Sequence, residues 1–290
     1  MSKPKIISVR LYGGLGNQLF QFFAGLSTSA SLGLNLYLDA RWIELGYSHK
    51  NSDIRDFSFT ENFKVKTTKE YGTLNLRVEQ LKNRLACRSK LLSALFSINI
   101  SESAGFIDLT GIRQGIELRG YYQSHRYFQN LLHDENVNHW SVKSETKLFT
   151  SNKLKFSESP FIAVHVRGGD YLKKSQIYHT LDSDYYQKAL KIVKEEIGDL
   201  DVYIFSDDVE HAKKILGPVP NSVYVSNGNM RASEVMILMS LGKALVIANS
   251  TFSYWAAMMN TGKLVLAPGK WFKTTPISSD LYPVQWRVLE

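Results

Sequence analysis

Cysteine is nearly absent from this sequence. Cys87 is the one cysteine among 290 residues, which excludes a disulfide within the chain and a cysteine-rich zinc site. Long apolar runs are also absent: no stretch reaches the roughly 20 residues of a membrane-spanning helix, and the apolar run near the amino terminus is too short for a signal peptide. These absences predict a protein of a reducing compartment, and we expect it in the cytoplasm.

Basic residues outnumber acidic ones, and the formal net charge is +8 at pH 7. Such a surplus suits nucleic acid, an anionic membrane surface or a phosphorylated ligand, and does not choose among them. Because the lysines and arginines are dispersed, with their highest density at 76–90, we interpret them as solvated helix faces and expect no nucleic-acid partner. Peripheral contact with the anionic inner face of the plasma membrane stays an open alternative.

The carboxyl-terminal part of the sequence alternates strands with helices. Because the strands are apolar almost throughout, the alternation indicates a parallel sheet with helices on both faces. Ligands of such sheets bind at the carboxyl ends of the strands. The predicted strands cover 161–166, 201–205, 223–225, 244–248 and 264–267, and the predicted helices cover 184–198, 209–216, 232–241 and 252–259.

The amino-terminal part repeats this pattern on a smaller scale. A strand at 5–11, a helix at 19–32 and a strand at 35–38 form a unit that implies a parallel pair. The middle of the chain is less regular, with a predicted helix at 76–98 and a predicted strand at 116–119.

A short helix is predicted at 126–133, and the polar stretch 144–160 is predicted to be a linker. We therefore expect an amino-terminal α/β domain at 1–150 and a carboxyl-terminal α/β domain at 151–290.

A glycine-rich loop at 13–18, Gly-Gly-Leu-Gly-Asn-Gln, follows the first strand. Its glycines would let the backbone approach a ligand and open a helix whose amino terminus favours anions. Leu19 stands where a dinucleotide fingerprint has its last glycine, and no Gly-Lys-Ser/Thr follows as in a Walker loop. A tight turn is the alternative reading.

An arginine beside two glycines follows the strand 161–166. The guanidinium of Arg167 is a fixed fork of donors suited to phosphate, and Gly168 and Gly169 leave room for phosphoryl oxygens. His165 lies two residues earlier, so it points to the same side of the strand as Arg167. Asp170 is more simply explained as support for the loop.

Hydroxyl and carboxylate side chains follow two further strands. Ser250 and Thr251 would form an anion-binding concavity at a helix start, with helix capping as the alternative. Asp207 and Asp208 could accept from a guanine edge or a ribose, although a capping role is as simple.

No metal site is predicted. The acidic pattern at 182–184 resembles the Asp-x-Asp sequence that holds a metal in many glycosyltransferases, but it precedes a helix, where capping is the ordinary role. His133 and His139 lie six apart with no third ligand nearby, so no zinc site is expected either.

Taken in order, these motifs resemble the α-1,2-fucosyltransferases of glycosyltransferase family 11. Tyr254 replaces the first tryptophan of the family's Asn-Ser-Thr-Phe-Ser-Trp-Trp segment, and Gly168 replaces the second arginine of its His-x-Arg-Arg-Gly-Asp-Tyr signature. The matching segments are 13–18, 120–124, 165–171, 205–208, 249–255 and 271–272.

The resemblance implies a fold and an activity. The implied fold is α/β of GT-B type, with two Rossmann-like halves facing a cleft, the domain at 1–150 on the acceptor side and the domain at 151–290 on the donor side. The implied activity is transfer of L-fucose from GDP-β-L-fucose to the 2-hydroxyl of a terminal β-galactoside, with inversion and with no metal or other cofactor. The acceptor is a galactose-terminated oligosaccharide or lipid-linked glycan, and the setting is synthesis of cell-surface polysaccharide such as O-antigen.

The resemblance also implies roles for individual residues. Arg167 would be catalytic through the donor diphosphate, and Gly168 would leave the site one guanidinium short. Asp39 and Gln123 are candidates for the base or for an acceptor contact, and Asp170 would be structural. The implied donor-binding residues are His165, Arg167, Asp207, Asp208, Asn249, Ser250, Thr251, Phe252, Gly14, Gly16 and Asn17.

Other functions stay open at this stage. A transferase of another nucleotide sugar with the same fold is one alternative, and a nucleotide-binding protein that is not a transferase is another. A P-loop-like hydrolase or kinase is disfavoured because no Lys-Ser/Thr follows the glycine loop.

Overall fold

The structure of the protein is a computed structural model, and it divides the chain into two compact units. Unit 1 comprises Met1–His139 and Ser278–Leu281, and unit 2 comprises Trp140–Ile277 and Tyr282–Glu290. The residues that the structure describes are 6–46, 53–70, 78, 81, 85, 91, 98–101, 105–109, 116–129, 131, 140–169, 176–259 and 264–290.

Unit 1 contains a five-stranded parallel sheet of order β3-β2-β1-β5-β4. One face of the sheet is covered by α1, whose phenylalanines Phe20, Phe22 and Phe23 are fully buried. The elements are β1 (Ile6–Arg10), α1 (Leu15–Leu32), β2 (Asn35–Asp39), α2 (Arg41–Glu44), β3 (Lys64–Lys66), β4 (Ile98–Ser101) and β5 (Glu117–Gly120).

Helix α1 begins four residues earlier than the sequence predicts, because Gly14 is already its N-cap. The helix ends at Gly33, whose φ of 61° is in the left-handed region that glycine adopts without a steric penalty. The glycine-rich segment is therefore a tight entry into a helix, and only Gly13 and Gly14 precede the first helical residue.

Unit 2 contains a six-stranded parallel sheet of order β11-β10-β9-β6-β7-β8. Its central strand β6 is buried along its whole length, as the apolar sequence predicts. The elements are α3 (Lys147–Glu158), β6 (Phe161–Val166), α4 (Ser183–Ile197), β7 (Asp201–Ser206), α5 (Val209–Leu216), β8 (Ser222–Tyr224), α6 (Ala232–Ser240), β9 (Ala244–Val246), α7 (Thr251–Met258), β10 (Leu264–Pro268) and β11 (Arg287–Leu289).

The α/β class and the alternation of strands and helices in unit 2 are confirmed, with ends that agree to within two residues. The predicted linker at 144–160 is wrong, because it contains α3. Thr146 caps this helix by accepting from the amide of Phe149, and Phe149 and Phe156 are buried. The boundary between the units accordingly lies at 139/140 and not at 150/151.

Two predictions for the middle of the chain are only partly covered by the described residues. The strand at 116–119 is confirmed as β5, and the described start of the helix predicted at 126–133 is a 3-10 helix at His125–Tyr127. The helix predicted at 76–98 lies largely outside the described residues. Among those that the structure describes, no helix is both long and apolar enough to cross a membrane.

Glu234 ties α3 to α6 inside unit 2. Its fully buried carboxylate accepts from the amides of Arg231, at 2.7 Å, and Thr146, at 2.6 Å. Burial raises the pKa of Glu234, but these two hydrogen bonds and the Arg231 guanidinium outweigh it and hold the pKa below the usual range.

We expect Glu234→Ala to lower the free energy of unfolding by about 2 kcal/mol, because it leaves two amides without their acceptor. The contribution should be present at neutral pH and be lost as the pH falls below the ordinary range of a glutamate, because folding lowers this pKa. Urea unfolding at pH 7 measures the effect. Glu210→Ala, which removes an exposed ion pair with Lys213, is the control, and an equal loss in both variants would contradict the assignment.

Candidate functional site

Arg167 and Asp207 lie side by side at the carboxyl edge of the unit 2 sheet. In the register of β6 with β7, Val166 lies opposite Ser206, so the residue after each strand is brought next to the other. The Arg167 Nη1 lies 2.9 Å from Asp207 Oδ2, and Asp207 Oδ1 accepts from the Gly168 amide at 2.9 Å. One carboxylate thus fixes both the guanidinium and the loop that carries it.

The two glycines after Arg167 allow this close packing. A Cβ on Gly169, which has a φ of 40°, would lie 2.4 Å from Asp207 Oδ2. A Cβ on Gly168 would lie 2.8 Å from the Cβ of Asp208. The glycine that replaces the family's second arginine is therefore matched to its surroundings, because any side chain there would displace the loop after β7.

Asp208 caps α5. Its Oδ1 accepts from the His211 amide at 3.0 Å, and its own amide donates to Ser206 Oγ at 3.0 Å. Asp208 therefore has the capping role that the sequence left open as an alternative. Asp207 instead contacts Arg167 and Gly168.

His165 is buried beneath the Arg167 loop. Burial, followed by the nearby positive charge of Arg167, lowers the pKa of His165 to about 3. The imidazole is therefore neutral at physiological pH, and its Nδ1 has no hydrogen-bond partner among the described residues. The centroid of its ring lies 5.7 Å from that of Phe252, so the end of β6 lies close to the start of α7.

The segment 249–252 surrounds the start of α7. Ser250 caps this helix by accepting from the amide of Phe252 at 3.3 Å, while Thr251 is partly exposed. Asn249 is buried and donates through Nδ2 to the backbone oxygens of His179, at 2.7 Å, and Trp271, at 3.0 Å. Asn249 therefore holds two neighbouring loops in place through its hydrogen bonds. The hydroxyls of Ser250 and Thr251 fit the predicted anion-binding role better than Asn249 does.

At the carboxyl edge of the unit 1 sheet, Asn17 is paired with Gln123. The Gln123 amide nitrogen donates to Asn17 Oδ1 at 3.1 Å, which joins the first turn of α1 to the segment after β5. Gly14 and Gly16 lie in the same turn, and Gly16 is buried. The sequence-predicted residues of unit 1 thus lie at the carboxyl edge of its own sheet. Asp39, the last residue of β2, lies at this edge too but is held in contacts of its own.

Asp39 is fully buried and engaged through both oxygens by Arg41, at 2.7 Å to Nε and 2.5 Å to Nη2. A carboxylate held in this way is poorly placed to take a proton from an acceptor hydroxyl. The geometry therefore argues against the hypothesis that Asp39 is the base.

Sequence reasoning missed a buried charge network beside Asp39. Glu117 accepts from Arg10 Nε at 2.7 Å and from Arg119 Nε at 3.0 Å, and the Arg10 guanidinium lies 4.3 Å from the Trp42 ring centroid. Burial raises the pKa of Glu117, but the two arginines outweigh it and hold the pKa low. The available signal was a charged residue at or next to the end of each of three neighbouring strands, at positions 10, 39 and 119.

Two further predictions concern Asp170 and the acidic pattern at 182–184. Asp170 lies outside the described residues. Asp182 is the N-cap of α4 and accepts from the Tyr185 amide at 3.1 Å, which confirms the capping interpretation. Within the described part of the chain, no group of three or more His, Cys, Asp or Glu side chains could hold a metal ion.

Comparison with solved structures identifies the fold. The fucosyltransferase NodZ from Bradyrhizobium matches with a TM-score of 0.51 and 14% sequence identity, over 89% of this chain and 94% of that one. A NodZ α-1,6-fucosyltransferase co-crystallized with GDP matches with a TM-score of 0.52 and 15% identity, over 89% and 93%. The fold is therefore of GT-B type, as the sequence predicts.

Two curated proteins of Escherichia coli are similar to this chain in sequence. The O-antigen biosynthesis glycosyltransferase WbnK is 28% identical over an alignment of 286 positions, which covers 90% of this chain and 93% of that protein. An α-1,2-colitosyltransferase is 28% identical over an alignment of 301 positions, which covers 98% of this chain and 99% of that protein.

The family model described as glycosyl transferase family 11 matches residues 104–290, which is more than half of the chain. This range contains the Arg167 loop, the Asp207 loop and the start of α7. The chain belongs to glycosyl transferase family 11 and is a glycosyltransferase, as its ordered motifs predict.

Proposed function

We propose that the protein transfers L-fucose from GDP-β-L-fucose to the 2-hydroxyl of a terminal β-galactoside, with inversion at the anomeric carbon and without a metal. The observation that carries the proposal is the Arg167 loop: a guanidinium fixed by Asp207 beside two glycines, at the strand edge where ligands of parallel sheets bind. The fucosyltransferase resemblance of the six ordered motifs supports fucose as the sugar.

The leaving group sets the chemical requirement. As the bond between the fucosyl C1 and the phosphate oxygen breaks, negative charge develops on GDP, and fixed donors lower the energy of this transition state. In the proposed mechanism, Arg167 supplies a positive charge, and the hydroxyls of Ser250 and Thr251 supply neutral donors at the start of α7. Ser250 uses its oxygen to cap the helix, so its hydroxyl proton is available to a phosphate oxygen.

His165 completes the proposed donor site as a neutral group. Because its pKa is lowered to about 3, it adds no charge to the site at neutral pH. It can act only as a neutral hydrogen-bonding group beside Arg167. It is also too weak a base to deprotonate the acceptor. A phosphate oxygen of the departing GDP is the proton acceptor that we favour.

The biological setting that we propose is O-antigen synthesis in the cytoplasm, on a lipid-linked glycan at the inner face of the plasma membrane. The names of the two E. coli relatives, an O-antigen glycosyltransferase and an α-1,2-colitosyltransferase, support this setting. The net charge of +8 suits contact with an anionic leaflet.

The colitosyltransferase relative favours one second candidate, transfer of colitose from GDP-colitose. Colitose is fucose without its 3-hydroxyl, so the two donors share the diphosphate and differ at one polar contact. A site that hydrogen-bonds the 3-hydroxyl would reject colitose, because its own buried polar group would be left unpaired.

Incubation of the protein with GDP-fucose, GDP-colitose, GDP-mannose and UDP-galactose tests the proposal, with β-galactosides as acceptors and EDTA in a parallel series. We expect a fucosylated product whose linkage, determined by NMR, is α-1,2, and an equal rate with EDTA. A product from GDP-colitose alone would favour the second candidate, and loss of activity with EDTA would overturn metal independence.

We expect Arg167→Ala to reduce turnover about a hundredfold, because loss of one transition-state donor typically costs about 3 kcal/mol. The initial rate of GDP release with a saturating acceptor measures the effect. Arg287→Ala is the matched control, because Arg287 is a partly exposed arginine of unit 2 paired with Glu196. Near-normal turnover of a folded Arg167→Ala protein would remove the basis of the assignment.

We expect Asp207→Asn to weaken binding of GDP about tenfold, because the guanidinium loses the partner that orients it. Binding of GMP, which lacks the second phosphate, should change little. Isothermal titration with both nucleotides measures the difference. An equal loss for GDP and GMP would instead mean that Asp207 contacts the nucleoside, and tighter GDP binding would mean that its charge merely opposes the phosphates.

A further inference from the structure

Tyr121 is an exposed aromatic side chain at the carboxyl edge of the unit 1 sheet. The exposed fraction of its surface is 44%. Its ring centroid lies 5.4 Å from that of Tyr12, and the two ring planes are inclined by 55°. Tyr12 follows β1 and Tyr121 follows β5, and these two strands are hydrogen-bonded neighbours. The sheet therefore brings two partly exposed tyrosines together at its ligand-binding edge.

The residue after Tyr121 has an unusual backbone conformation. Tyr122 has a φ of 50°, in the left-handed region that a bulky residue rarely adopts. Its ring is fully buried and packs edge-on against Tyr127, and its hydroxyl donates to the Arg119 oxygen at 3.2 Å. Strain of this kind persists only where the surroundings enforce it, and it is concentrated at binding sites.

Two amide side chains follow the tyrosines along the chain, Asn17 after Tyr12 and Gln123 after Tyr121. Gln123 follows Tyr122 directly, and its Nε2 donates to Asn17 Oδ1 at 3.1 Å. This bond leaves Gln123 Oε1 as an acceptor and Asn17 Nδ2 as a donor, neither with a hydrogen-bond partner in the part of the chain that the structure describes. Both side chains are partly exposed.

We infer that Tyr12, Tyr121, Asn17 and Gln123 form a subsite for a pyranose ring of the acceptor, and that its occupant is a β-galactoside. Asn17, which the resemblance assigns to the donor, is assigned here to the acceptor because it is hydrogen-bonded to Gln123. The face of β-galactose that carries the hydrogens of C3, C4 and C5 is a flat patch of weakly positive C–H groups, which the negative face of an aromatic ring attracts. The free acceptor and donor of the amide pair suit hydroxyl groups, since each hydroxyl both donates and accepts.

The chemistry of the four side chains favours a neutral ligand. None of them is charged at neutral pH, whereas the proposed diphosphate site of unit 2 contains Arg167. A sugar is the class of ligand that combines an apolar face with several hydroxyls. The choice of galactose rests on the proposed function, whereas the presence of a sugar subsite rests on the geometry of unit 1.

Steady-state kinetics with GDP-fucose and lactose tests the inference. We expect Tyr121→Ala to raise the KM for lactose about tenfold, while the KM for GDP-fucose and the rate of donor hydrolysis without acceptor stay unchanged. Tyr121→Phe should retain the wild-type KM, because the ring face is kept. Tyr224→Ala, at a partly exposed tyrosine of unit 2 that lies near Lys213, is the matched control.

A binding measurement separates this inference from the proposed function. Saturation-transfer NMR with methyl β-D-galactoside and GDP should give a signal with the wild type and with Tyr121→Phe, and none with Tyr121→Ala. That pattern supports the subsite even if no transfer from GDP-fucose occurs. An unchanged lactose KM in Tyr121→Ala, or no galactoside signal with the wild type, would overturn the inference and leave the assignment of Arg167 intact.

Discussion

The parallel register of β6 with β7 is the constraint on which the chemistry of unit 2 depends. It places Val166 opposite Ser206, so the next residues of the two strands, a cation and an anion, must meet. The pair is partly exposed, and such a pair stabilises a fold by at most about 1 kcal/mol. Its importance is therefore orientation: one carboxylate oxygen holds the guanidinium and the other holds the loop, so the guanidinium has the fixed orientation that the proposed phosphate contact requires.

The carboxyl edge of the unit 1 sheet has different chemistry. A buried network lies at the ends of β1 and β2 and along β5, and in it Arg10, Arg41 and Arg119 face Asp39 and Glu117. The partly exposed residues just beyond β1 and β5 are uncharged tyrosines and amides. The charged groups of this network are thus buried at the sheet edge of unit 1, whereas the guanidinium of Arg167 at the sheet edge of unit 2 is partly exposed. This difference suits a neutral sugar on one unit and a nucleoside diphosphate on the other.

Sequence patterns predicted the elements that bury continuous apolar segments. Strand β6 and the position of Arg167 after it follow from the run 161–166 alone. Helix α3 was missed because its outer residues are polar and its packing rests mainly on Phe149 and Phe156, seven residues apart. The Asp207 pairing with Arg167 spans 40 residues and depends on sheet register, while the left-handed Tyr122 has no signature in residue type. Local sequence thus locates the ligand edge, but tertiary packing decides which side chain supports which.

In the proposed function, the sheet edge of unit 2 holds the donor diphosphate with protein groups alone. A crystal structure of the protein with GDP, grown with Mg²⁺ present, would show directly whether it does. We expect the second phosphate within hydrogen-bond distance of the Arg167 guanidinium and of the hydroxyls at the start of α7, with no metal bridging the phosphates. A diphosphate bound away from the Arg167 loop, or bound through a metal ion, would contradict this expectation.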